Sequence, residues 1–102
     1  MTDLRRYPRA PFVSDLTFQT SEGAEYTGRA RDISLGGMFI TTDEAAPFGT
    51  SVTVTVTLPD ERTQLRLRAI VRWSGIGGMG VQFGALGAVE THHITELTRP
   101  PQ

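Results

Sequence analysis

The chain has no cysteine among its 102 residues. That excludes disulfide staples, thiolate catalysis and cysteine-based zinc sites. Lysine is missing too, so all ten basic residues are arginine. Information about function therefore lies in where the arginines sit. An excess of charge is also lacking. The net charge is −1, which gives no global field for DNA, RNA or an anionic membrane. Long apolar runs are absent, and no window approaches the roughly 20 apolar residues of a membrane span. Residues 1–11 contain no apolar stretch of the kind a secretory leader needs, which predicts a cytoplasmic protein. Apolar residues make up 38% of the chain, enough for one small core.

What is present is concentrated in two stretches. Residues 1–12 form an arm carrying Arg5, Arg6 and Arg9 beside Tyr7, Pro8 and Pro11. The prolines discourage helix and favour an extended path. Guanidinium is planar and always charged, and it can grip a phosphate or the O6/N7 edge of guanine with two hydrogen bonds. The second stretch is Asp32-Ile33-Ser34-Leu35-Gly36-Gly37. It places a carboxylate, a hydroxyl and two glycines where a strand must end. Arg62/Arg66 and Arg68/Arg72 repeat the spacing of Arg5/Arg9, so that spacing alone says little. The Asp-x-Ser-x-x-Gly pattern is scarcer. It also suits a plain turn, with Asp or Ser capping backbone and Gly supplying positive φ. The two roles can coexist.

Periodicity predicts strands over 12–20, 24–33, 38–42, 51–58, 65–73 and 80–83. The segment 51–58 is the clearest: Val52, Val54, Val56 and Leu58 alternate with Ser51, Thr53, Thr55 and Thr57. In 65–73, alternation puts Leu65, Leu67, Ala69, Val71 and Trp73 inward and Arg66, Arg68 and Arg72 outward. Turns fall at 21–23, 59–62 and 74–78, with a loop over 43–50. Leu86, Val89, Ile94 and Leu97 fit one helical stripe with His93 inside it. Gly87 and several threonines make this a weak helix that needs docking. Turns too short for helical crossovers predict an antiparallel sheet, which closes into a barrel to remove its edges.

Leu4-Arg5-Arg6-Tyr7-Pro8-Arg9 together with Asp32-Ile33-Ser34-Leu35-Gly36-Gly37 resembles the PilZ domain family. That family pairs an Arg-x-x-x-Arg arm with an Asp/Asn-x-Ser-x-x-Gly turn. The resemblance runs from about Arg5 to Phe83. It implies an all-β fold, a six-stranded antiparallel barrel with a C-terminal helix. The arm would span 1–11, the barrel 12–83 and the helix 85–99, within one domain over 1–102. It also implies binding of the bacterial second messenger cyclic di-GMP. Arg5 and Arg9 match the motif arginines, and Arg6 matches the extra arginine often found between them. Asp32, Ser34 and Gly37 match the turn. The threonine-rich segment 85–99 departs from the pattern.

The chemistry of the residues is compatible. Arginines can hold phosphate or stack on a base. Asp32 can accept from guanine N1–H and N2–H2 or hold an arginine in place. Ser34 can donate to the ligand, and Gly36 and Gly37 allow close approach of backbone N–H groups. Arg72 and Trp73 are a candidate extension of the ligand face, although Trp73 suits core or rim packing better. His92 and His93 have no metal-ligand spacing. No nucleophile, base and acid are tied together by position. The expected protein is a non-enzymatic cyclic di-GMP receptor without cofactor or metal, relaying its signal to a protein partner. It should bind neither DNA nor RNA and should not insert into a membrane. Two alternatives are a PilZ-like adaptor without a nucleotide site and a small OB-like binder of single-stranded nucleic acid.

Overall fold

A computed structural model describes residues 9–99. Six strands and one helix run in chain order: β1 (Ala10–Thr20), β2 (Glu25–Ile33), β3 (Gly37–Thr41), β4 (Ser51–Thr57), β5 (Gln64–Gly75), β6 (Gly78–Phe83) and α1 (Ala88–Thr98). The sheet closes on itself in the order β1-β2-β3-β6-β5-β4, and every pair is antiparallel. The expected barrel is therefore present, with β1 starting earlier and β5 running longer than periodicity suggested.

Alternation builds the core. Val52, Val54 and Val56 of β4 and Leu65, Leu67 and Val71 of β5 are buried. They meet Phe18, Ile33, Met38, Ile40 and Met79 from the other strands. Fully burying one such side chain stabilises by about 1.5–3 kcal/mol. Local chemistry makes the turns. At 59–63 the Asp60 Oδ1 accepts the N–H groups of Arg62 and Thr63 at 2.8 and 2.9 Å. The two-residue turn Ile76-Gly77 joins β5 to β6, with Gly77 at φ +88°.

Two irregularities matter for function. The β2–β3 register shifts between Ala30 and Asp32. The β5–β6 register shifts between Val71 and Trp73. Each leaves one extra residue, Arg31 or Arg72, without a cross-strand partner. A bulge of this kind reverses the inward–outward phase of the residues beyond it.

The helix buries Ile94 completely, while Leu86 and Leu97 pack partly against the core. Val89 does not join them and is 60% exposed. Five residues from Ile94, it lies about 140° around the helix. Gly87 is the N-cap rather than an interior residue, so it costs the helix less than expected. The helix contacts β1 and β2.

Candidate functional site

The turn after β2 is built by Ser34. Its buried Oγ accepts the N–H groups of Gly36 and Gly37 at 3.1 and 3.3 Å. The Ser34 N–H donates to the Gly37 carbonyl at 2.8 Å. The hydroxyl is thus engaged in holding the turn. The glycines are not there for positive φ, as the sequence suggested, because neither adopts it. At Gly37 the reason is space: a Cβ would collide with the Val81 carbonyl oxygen on β6.

Asp32 stands at the end of β2. Its Oδ1 accepts from Arg9 Nη1 at 3.3 Å and from the Phe39 N–H at 3.2 Å. The same Nη1 donates to the Gly37 carbonyl at 3.4 Å. Asp32 thus anchors an arginine, one of the two roles open to it. Arg9 thereby lies against the turn. Arg5 and Arg6 lie outside the described residues.

Register extends the site across four strands. Asp32 pairs with Phe39, Phe39 with Gly80, and Gly80 with Trp73. These four form one rung over β2, β3, β6 and β5. Trp73 was expected inward by alternation. It is 52% exposed instead, because the bulge at Arg72 turns it to the outer face. Asp32 comes after the equivalent bulge at Arg31. With only a hydrogen at Gly80, the Phe39 and Trp73 rings meet across it, centroids 5.5 Å apart and planes inclined by 38°. The bulged arginines flank the rung. Arg31 lies with Cζ 4.9 Å from the Phe39 ring centroid, and Arg72 Nε donates to Gln82 Oε1 at 2.9 Å.

The model of the PilZ domain matches residues 3–99. The chain belongs to the PilZ domain family. Solved structures of low identity share its fold. The PilZ domain with c-di-GMP of YcgR from Escherichia coli is similar with a TM-score of 0.74 at 17% identity, over 94% of this chain and 89% of that one. The PilZ domain of CeSA from a cellulose-synthesizing bacterium gives 0.73 at 20%, over 88% and 93%. The Bacillus subtilis inhibitor of motility MotI/DgrA gives 0.76 at 24%, over 93% of this chain and 49% of that one, so the chain spans about half of that protein. No curated protein matches the chain.

Other parts of this PilZ domain fit a ligand role less well. A cleft of about 740 Å3 runs over Thr17, Arg29, Thr41 and Thr55, away from the turn. Its walls include Asp15, Asp43 and Glu44, which suit no anion. His92 and His93 pack edge to face at 5.4 Å. Among the described residues, no three His, Cys, Asp or Glu side chains cluster as metal ligands, and no helix is long and apolar enough to cross a membrane. Sequence reasoning missed Phe39, Gly80 and Arg31. Gly78-x-Gly80 put two bare positions on one strand face, the signal that something lies over them.

Proposed function

We propose that this PilZ domain is a non-enzymatic receptor for cyclic di-GMP that passes its signal to a protein partner. The observation that carries the proposal is Arg9 fixed by Asp32 against the Ser34–Gly37 turn. A cation beside backbone turned by glycine suits a phosphate or the acceptor edge of guanine. Among the described residues, both Arg9 contacts use Nη1, and a guanidinium has five N–H donors. Those not directed at Asp32 or Gly37 can take a ligand. Arg5 and Arg6 add two cations on the same arm. The E. coli neighbour, named as holding c-di-GMP, supports the same ligand here.

On this proposal Asp32 aligns Arg9 and the ligand completes its coordination. Ser34 acts by shaping the turn. The domain works in the cytoplasm and needs no metal or cofactor. Calorimetric titration with cyclic di-GMP, with GTP and cyclic di-AMP as controls, is the test. Saturable heat with cyclic di-GMP and much weaker heat with both controls is the expected result. No heat with any of the three would remove the proposal and leave the protein-adaptor alternative.

A further inference from the structure

We propose that the end of the barrel opposite the Ser34 turn is a docking face for a partner protein that presents a basic side chain beside apolar surface. The face consists of Phe48, Ile76 and an acidic recess next to Phe48. It rests on the relay to a protein partner in the receptor proposal and gives that relay a surface.

Strand direction gathers the face. β1, β3 and β5 all run towards this end, so the connections 21–24, 42–50 and 76–77 meet there. The 42–50 loop is tied to the β5–β6 hairpin at both of its ends. The Thr42 N–H donates to the Gly77 carbonyl at 3.1 Å, and the Gly49 N–H to the Val71 carbonyl at 2.8 Å. Two corners on this frame are built alike. The Thr50 N–H donates to the Pro47 carbonyl and closes a turn with Gly49 at φ +87°. Gly75 pairs with Gly78 across a turn with Gly77 at φ +88°. In each, the residue before the left-handed glycine projects, a position that Pro and polar residues ordinarily fill. Here they are Phe48 and Ile76, 68% and 106% exposed. Neither joins the core, and the loop's inward contacts are made by Ala45 and Ala46. The fold therefore needs neither side chain.

Charge decides what covers this face. A recess of about 400 Å3 opens between the 42–50 loop and the β1–β2 turn, reaching Pro47 beside Phe48. Glu22, Asp43, Glu44 and the half-buried Tyr26 line it. The three connections contain no arginine. Among the described residues, none of these carboxylates pairs with an arginine elsewhere. A lysine or arginine side chain entering the recess meets three carboxylates and an aromatic ring. An anionic lipid surface or a nucleic acid meets the wrong sign, and so does cyclic di-GMP. A second copy docked about a two-fold axis would set carboxylate against carboxylate. An exposed apolar pair beside a charged rim marks a protein contact. A partner with a basic residue next to apolar ones matches both features.

The test is photo-cross-linking from p-benzoylphenylalanine placed at position 76, in a lysate of the cells that make the protein. The same group at position 64, exposed at the other end of β5, is the control. The expected product is a protein captured from position 76 and not from 64, whose cross-linked peptide carries Lys or Arg beside apolar residues. Capture should fall about 10-fold or more on Phe48→Ser, and equally on Asp43→Arg combined with Glu44→Arg. Both variants should melt and titrate with cyclic di-GMP as the wild type does, because they change exposed side chains away from the Ser34 turn. Capture that ignores the charge reversal, a cross-linked peptide without a basic residue, capture of lipid or of a second copy, or no capture above the control would each overturn the docking face. With cyclic di-GMP binding retained, any of these leaves the ligand site of the receptor proposal standing. Charge-sensitive capture by a protein that binds no cyclic di-GMP would remove the receptor proposal and keep the face, as the adaptor alternative requires.

Discussion

A single carboxylate oxygen, Oδ1 of Asp32, receives the Arg9 guanidinium at 3.3 Å and the Phe39 N–H at 3.2 Å. It thereby joins the arm to the aromatic rung. Asp32→Ala should remove both contacts at once. We expect cyclic di-GMP affinity to fall by about 1.5–3 kcal/mol, the range for hydrogen bonds to a charged group. Asp32→Asn keeps an acceptor for Phe39 and loses the charge facing Arg9. It should fall between wild type and Asp32→Ala. Equal affinities for all three in calorimetry would show that Asp32 does not position the arm.

Arg9 supplies the complementary test. Its pair with Asp32 is partly exposed on both sides, so its share of stability is small, on the order of 0.5 kcal/mol. Arg9→Ala should therefore melt near wild type while binding weakens by about 1.5–3 kcal/mol. Arg9→Lys should also weaken binding, because an ammonium lacks the planar fork. Arg5→Ala is expected to behave like Arg9→Ala. If Arg5→Ala and Arg9→Ala both bind as tightly as wild type, the arm is only a solvated tail.

The barrel was legible because β4 and most of β5 keep strict alternation, and each turn carries its own glycine or aspartate. Arg9, Asp32 and the Ser34 turn were legible as a motif. The outward turn of Trp73 was not, because a bulge leaves no mark in a pattern of period two. One extra residue at Arg72 turned an inward expectation into an exposed ring. Phe39 was missed for a related reason. It reads as one more apolar residue between Met38 and Ile40 until Gly80 is seen beside it. Val89 was misplaced because a stripe was drawn through Leu86, which precedes the helix.

Ser34 and Gly37 should act through the fold. Ser34→Ala leaves the N–H groups of Gly36 and Gly37 without their buried acceptor, at a cost of about 1–3 kcal/mol. Gly37→Val drives a side chain into the Val81 carbonyl and should cost more. In thermal melts both variants should unfold earlier than Asp32→Ala, with binding lost alongside stability. A Gly37→Val protein that melts and binds normally would mean that β3 and β6 do not approach as described.

Acid should find Asp60. Its carboxyl lies below the ordinary value of 3.8, chiefly because the Thr63 and Arg62 N–H groups donate to it, with the Thr63 hydroxyl and His93 adding smaller effects. The folded state therefore favours the charged form. Its contribution is complete above the ordinary value and is lost as pH falls through the lower folded value. Asp60→Asn should make denaturation midpoints less sensitive to pH below about 4. Parallel pH profiles for the two proteins would show that the 59–63 turn does not sense the charge.

Salt separates a dinucleotide pocket from a nucleic-acid groove, the OB-like alternative. Cyclic di-GMP carries two phosphates and no dense layer of condensed counterions. A groove for single-stranded nucleic acid releases counterions with each phosphate it neutralises, with a log–log slope of about −0.7 per phosphate. A site covering several nucleotides would lose affinity steeply between low and moderate salt. The contacts proposed here are hydrogen bonds from the arginines of the arm, which act at short range. Cyclic di-GMP affinity should therefore fall only modestly over that interval. An oligonucleotide should bind weakly at physiological salt, since the net charge is −1 and, among the described residues, the exposed aromatics Phe48 and Trp73 form no continuous track. Tight, steeply salt-dependent oligonucleotide binding without a cyclic di-GMP heat would transfer the function to single-stranded nucleic acid.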